Sequence, residues 1–155
     1  MNAQRIAAIT LDERSVLRRS PEIESERAAA ITDLLHENRF DPASGAAGPF
    51  ELRLAVEDNR LVIEVAAADG TREAIQLGLN PFRRIVKDYF VVCESYYDSL
   101  RRHNLSQVEA IDAGRRALHD EGAMLLIEQL AGKVAVDHDT GRRLFTLICV
   151  LHLRA

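Results

Sequence analysis

Between Phe50 and Leu79 the chain alternates apolar and polar residues in three runs. Phe50, Leu52, Leu54 and Val56 are interleaved with Glu51, Arg53 and Glu57; Leu61, Ile63 and Val65 repeat the pattern; Ile75, Leu77 and Leu79 close it. A period of two predicts strands of a sheet with one buried face. The register follows from the turns. A two-residue turn at Asp58-Asn59 pairs Val56 with Leu61 and Leu54 with Ile63, so both apolar sets share a face. A two-residue turn at Asp69-Gly70 would turn Ile75 and Leu77 to the other face. The odd loop Ala68-Asp69-Gly70 restores them, with Gly70 in the left-handed conformation of a bulged three-residue hairpin. Ile6, Ile9 and Leu11 suggest a short first strand.

The other periodic stretches are helical. Ser20-Pro21 supplies a capping hydroxyl and a proline at the first helical position, and Glu22, Glu24 and Glu26 suit the positive end of the dipole. Ile23, Ala30, Ile31, Leu34 and Leu35 form its apolar face. From Asp41-Pro42 to Pro49 the composition predicts a flexible loop. Asn80 caps and Pro81 starts a long helix ending near His103, with Phe82, Val86, Tyr89, Cys93, Tyr96 and Leu100 as its stripe. Ser106 and Glu109 form a capping box for a helix running to Ala131, where Gly132 is a plausible stop. Asp137 or Asp139 begins a last segment through Leu153. That segment is apolar nearly all round, which predicts a buried helix, although its β-branched residues keep a strand open for Leu144 to Leu153. The expected architecture is a single α+β domain over residues 1–155. It holds a three- or four-stranded antiparallel sheet packed against the long helix from Pro81, with three further helices around it.

Composition narrows the class. Hydrophobic residues make up 47% and charged residues 28% of 155, a globular mix. A formal net charge of −4 argues against a dedicated non-specific nucleic-acid binder. The basic residues are mostly arginine, which suits phosphate and carboxylate, but an alanine-rich chain also points to genomic composition bias. Cys93 and Cys149 lie in apolar helical runs and read as buried reduced thiols, with neither a disulfide framework nor zinc spacing. Residues Met1 to Ser15 hold no secretory core, and the longest apolar run, Leu144 to Leu151, is too short for a membrane span. Together these point to the cytosol.

Three sets of residues could carry chemistry. On a helical wheel Arg27 falls between Ile23, Ile31 and Leu34, with Glu24 and Asn38 flanking the stripe. Arg115 falls among Ile111, Leu118, Gly122 and Leu125, with His119 one turn on and Asp112 near the edge. A buried arginine needs a partner. Either Arg27 and Arg115 pair with internal carboxylates such as Glu24 or Asp112, or both converge with His119 on an anionic ligand. Arg83, Arg84 and Lys87 stand near a helix start, and Arg142 and Arg143 near another; these five are the phosphate or RNA candidates. Tyr89, Tyr96 and Tyr97 read as core residues with satisfied hydroxyls.

Several motifs carry little. Asp139-Thr140-Gly141 has an aspartic-protease look, but helix capping explains it better. Asp137, His138 and Asp139 are adjacent and cannot readily aim at one ion, so no metal site is expected. There is no glycine-rich phosphate loop, helical His-Glu motif or nucleophile elbow, and no cofactor is expected.

Four blocks, Ile23 to Arg27, Asn80 to Tyr97, Ala110 to Gly122 and Arg142 to His152, resemble an uncharacterised protein family of alphaproteobacteria. The resemblance spans nearly the whole chain, and its Pro81 to Tyr97 block is specific. It implies a bacterial cytosolic protein and assigns no catalytic residue. With no catalytic constellation visible, the expectation is a small non-enzymatic accessory protein that binds a partner protein, a second copy of the chain among the candidates. The rivals are an enzyme or small-ligand binder using Arg27, Arg115 and His119, and an RNA- or ribosome-associated protein using exposed arginines.

Overall fold

A computed structural model describes residues 3–13 and 20–152. Strand β1 (Ile6–Leu11) leads to helix α1 (Pro21–His36), strand β2 (Phe40–Pro42) and strands β3 (Phe50–Glu57), β4 (Arg60–Ala66) and β5 (Arg72–Gly78). Helices α2 (Arg83–Arg101) and α3 (Leu105–Leu130), strand β6 (Val134–Val136) and helix α4 (His138–Leu151) follow. The α+β class and the four helices agree with the expectation.

The hairpins have the anticipated registers. Val56 pairs with Leu61 and Leu54 with Ile63 across a turn in which Asp58 and Asn59 both have positive φ, 50° and 59°. That is the two-residue turn whose twist matches the strands. Ile63 pairs with Ile75 and Leu61 with Leu77. The Ala67 amide bonds the Thr71 carbonyl, enclosing Ala68, Asp69 and Gly70, and Gly70 has φ 88°. Leu52, Leu54, Leu61, Ile63, Ile75 and Leu77 are all buried on one face.

The four-stranded sheet, ordered β1-β3-β4-β5, is mixed rather than antiparallel throughout, because β1 pairs parallel with β3. A crossover through α1 separates these strands in the chain, and parallel neighbours require such a connection. Asn38 ties the crossover down. Its Oδ1 accepts from Ile6 N at 2.6 Å, and its Nδ2 donates to the carbonyls of Ile6 (3.0 Å) and Leu34 (2.8 Å).

The segment expected to be a flexible loop is pinned. Phe40–Pro42 pairs antiparallel with Val134–Val136 as a second, two-stranded sheet. Gln4 donates to the Ala46 carbonyl and to Asp41, and accepts from Gly48 N. Its three-residue strands are too short to show a period, and its turn-rich composition hid them.

Two helix starts also differ. Asn80 does not cap α2, which follows a 3-10 turn at Asn80–Phe82; its Oδ1 instead accepts from Asn59 Nδ2 at 2.6 Å. Asn104, not Ser106, caps α3, accepting from Gln107 N, and Ser106 lies inside the helix. Asp137 caps α4 by accepting from Thr140 N, and Thr140 Oγ1 accepts from Arg39 N at 3.0 Å. Gly132 ends α3 at φ 81°, as expected.

The last segment is a helix, and it is the centre of the molecule. Ten of its residues are buried, including the whole run from Leu144 to Leu151; Leu153 lies outside the described residues. The α2 residues Ile85, Val86, Tyr89 and Cys93 join the same core as the inner face of the sheet. Leu100, placed in the α2 stripe by spacing, is 39% exposed, and Ser99 is buried instead. Cys93 and Cys149 are buried and unbridged. Burial pushes the Cys93 thiol up to about 12 and the Cys149 thiol well above its ordinary value. Tyr89 is fully buried, but its hydroxyl has no hydrogen-bond partner among the described residues; Tyr96 and Tyr97 are half-buried.

Helix α3 approaches α4 through Gly122. A Cβ there would sit about 2.5 Å from the buried ring of Phe145. Gly122→Ala is expected to lower stability by about 1–3 kcal/mol, despite alanine's better helix propensity, because the ring has no room to retreat. Urea unfolding checks this; a stabilised variant would show that the two helices can separate at no cost.

Candidate functional site

The stripe of α1 runs Ile23, Glu26, Ala30, Leu34, all buried. Glu26 therefore takes the mid-stripe place that the wheel assigned to Arg27. Both fit between Ile23 and the next turn, and the small residues Ala28 to Ala30 define no sharp centre. Arg27 sits at the edge, 27% exposed, and grips Glu13 in a fork: Nε to Oε1 at 2.7 Å and Nη2 to Oε2 at 2.9 Å.

Glu26 meets Arg115 from α3, with Nη1 to Oε1 at 2.7 Å and side-chain exposures of 11% and 19%. The guanidinium also donates to Asp112 Oδ1 from Nε (3.2 Å) and Nη2 (3.0 Å), and its Cζ lies 4.6 Å from the Tyr96 ring centroid. The Cys93 thiol donates to Glu26 Oε1 at 3.7 Å. Arg115 thus joins α1, α2 and α3, and despite the desolvating effect of burial its two carboxylates hold its pKa above the ordinary arginine value. Both arginines are paired with carboxylates, although their partners are Glu13 and Glu26 as well as Asp112.

Beside this network a cleft of about 310 Å³ opens between α1, α3 and α4. Glu26 and Asp33 line it from α1, Arg115, Arg116 and His119 from α3, and Arg142, Arg143 and Thr146 from α4. The structure therefore brings Arg115 and His119 together with Arg142 and Arg143, which the sequence placed in a different set, and leaves Arg27 out. Arg83 and Lys87 stand exposed on α2, and Arg84 bridges Asp88 (3.2 Å) and Glu121 (3.1 Å).

The four arginines of the cleft are not equally engaged. Arg115 is paired as described, and Arg116 reaches Asp112 at 3.3 Å. Arg143 donates to the Glu37 carbonyl at 3.2 Å. Arg142 is half-buried, and its guanidinium makes no hydrogen bond or ion pair among the described residues. The nearby carboxylate Asp120 is held by His138 at 3.0 Å. Sequence pattern did not single out Arg142 within its set, because neither helical phase nor spacing reveals which of several arginines lacks a partner.

His119 stacks at a tilt on Tyr89, with ring centroids 5.1 Å apart, and its Nε2 lies 3.4 Å from Thr146 Oγ1. Because the Thr146 hydroxyl donates to the Arg142 carbonyl at 3.2 Å, its oxygen is the acceptor towards His119. This bonding assigns the hydrogen to Nε2 and leaves Nδ1 as the basic atom. Burial, and then the charges of Arg115 and Arg142, push the imidazole down from 6.5 to about 4; Asp120 and Asp112 act the other way.

A second concavity, of about 420 Å³, lies against Glu51, Arg53, Glu64, Arg72 and Glu73 of the sheet. There Arg53 is answered by Asp12 at 2.7 Å and Glu64 at 3.3 Å. Among the described residues no group of three His, Cys, Asp or Glu side chains could hold a metal ion, and no helix is long and apolar enough to cross a membrane.

Residues 3–154 match the model of the uncharacterised protein family UPF0262. The chain belongs to that family. A UPF0262 protein of Sphingopyxis alaskensis is 52% identical over 156 residues, covering 97% of this chain and 94% of its own. UPF0262 proteins of Bradyrhizobium sp. and Rhodospirillum rubrum are each 55% identical, covering 96% and 94% of this chain and 89% and 91% of their own. The resemblance read from the four sequence blocks is thereby borne out, including its alphaproteobacterial character. No solved structure matches the chain.

Two stability tests separate the roles in this UPF0262 protein. Arg115→Ala leaves the Glu26 carboxylate without its cation and is expected to cost about 3–5 kcal/mol, whereas Arg27→Ala breaks a pair that is a quarter exposed and should cost about 1 kcal/mol or less. Equal losses in urea unfolding would contradict the ranking.

The His119 imidazole is depressed in the fold, so the unfolded chain binds a proton that the folded one refuses. Its contribution is present in full above about pH 6.5 and is lost as pH falls from there towards 4. His119→Gln should flatten the stability profile in that window by on the order of 2 kcal/mol. An unchanged slope would place His119 outside the acid transition.

Proposed function

We propose that this protein is a small, non-catalytic accessory protein of the cytoplasm whose recognition element is the cleft between α1, α3 and α4, and that the cleft takes an anionic group. One observation carries the reading. Arg142 is half-buried and lines the cleft beside three further arginines, yet no protein acceptor among the described residues meets its guanidinium. Withdrawing such a group from water without a partner is unfavourable, and an oxyanion supplies the missing acceptors in the fork geometry that arginine favours. The neighbouring arginines are already oriented, Arg115 by Glu26 and Arg143 by the Glu37 carbonyl, so little ordering remains for the ligand to impose. The non-catalytic part rests on the lining of the cleft, which among the described residues holds no serine, cysteine or lysine and whose Glu26 carboxylate is committed to Arg115. The cytoplasmic part rests on the two buried, unbridged thiols.

Thermal unfolding in sulfate against chloride at matched ionic strength tests the reading. The wild-type melting temperature is expected to rise with sulfate by mass action, by several degrees once the anion is well above its dissociation constant. Arg142→Ala should lose that rise while melting close to wild type without sulfate, since its guanidinium makes no hydrogen bond or ion pair among the described residues. An equal sulfate-dependent rise in the variant would overturn the assignment of the cleft.

A further inference from the structure

The charges around His119 narrow the class of anion. On its own helix, Arg115 and Arg116 stand beside it with Asp112 bonded to both, and Asp120 is engaged by His138. Arg142 and Arg143 face the cleft from α4, Glu26 and Asp33 from α1. The phenol ring of Tyr89 covers it from α2. Four guanidinium groups thus stand against the carboxylates of Glu26, Asp33, Asp112 and Asp120. The cleft carries no net charge while His119 is neutral, and one positive charge once it is protonated.

We infer that the group the cleft takes is a doubly charged oxyanion of the phosphoryl or sulfuryl type, bound together with one proton carried by His119. This rests on the reading of the cleft as an anion site. A single negative charge leaves the cleft one positive charge short and a double charge leaves it two short, so a dianion gives His119 the stronger reason to take up a proton. A dianion beside the imidazole reverses the local field: the neighbouring arginine charges that disfavour an imidazolium are then outweighed, and the protonated ring becomes a charge-assisted donor. The proton goes to Nδ1, because Nε2 already carries the hydrogen directed at Thr146. Reciprocity then requires that protonating His119 tighten the dianion by the same factor as the dianion favours protonation.

Sulfate is a suitable probe, because it stays doubly charged from pH 6 to 8 and any proton taken up belongs to the protein. Calorimetric titration of the full chain in two buffers of different ionisation heat is expected to show net proton uptake on sulfate binding. Affinity should rise as pH falls from 8 to 6, by up to tenfold per unit. His119→Gln should bind sulfate with no uptake and a flat pH profile, and His138→Gln should behave as wild type. Acetate should bind more weakly than sulfate, with less proton uptake. If His119→Gln fails to fold, the ring-nitrogen resonances of the wild-type histidines report the same event: one histidine should shift towards imidazolium when sulfate is added at pH 6.5. Sulfate binding without proton uptake, uptake that survives His119→Gln, or no histidine shift overturns the inference and leaves the anion cleft standing. Failure of both sulfate and acetate to bind overturns the cleft itself and the inference with it.

Discussion

The Glu26–Arg115 ion pair is the contact on which the arrangement of the outer helices depends. A carboxylate in the buried stripe of α1 is tolerated only with a cation against it. The cation comes from α3, 89 residues further along the chain, and it also covers Tyr96 of α2. One guanidinium therefore reaches three helices that also meet through apolar contacts and through the more exposed pairs Arg84–Glu121 and Arg101–Glu22. The pair is directional and expensive to break, so it defines register where hydrophobic packing alone would permit sliding.

The position of α4 supplies the other half of the geometry. A helix buried along its whole final run must be enclosed, and Gly122 lets α3 come close enough to enclose Phe145. The polar first turns of α4 are then the part left at the surface, and they project Arg142 and Arg143 towards α1 and α3. The cleft is thus the place where a buried helix emerges beside an interhelical ion pair. Arg115 is committed to structure and Arg142 is not, although both are arginines on the same wall.

Much of the frame was legible in the chain. Period-two alternation and turn length fixed the registers of β3, β4 and β5, because a slip of one residue would expose every apolar side chain. The helices were legible from their stripes, and burial of α4 from being apolar all round. Asn80 and Ser106 were misread as caps because capping residues are common and only backbone geometry selects among neighbours. The short β2–β6 pair and the parallel pairing of β1 had no local signal, since each depends on a partner distant in sequence.

The site divides the same way. Local pattern was enough to show that some charges must lie among apolar residues, and it placed Arg115 and His119 there, where both are half-buried. It could not choose between Glu26 and Arg27, because one residue shifts the helical phase by only 100° and a run of alanines leaves the stripe without a sharp edge. Nor could it join Arg142 and Arg143 to Arg115 and His119, which lie on a different helix. Helical phase is set by a residue's near neighbours in the chain, whereas the pairing of charges is set by which helices touch. The first is written in the sequence, and the second exists only once α1, α3 and α4 have packed.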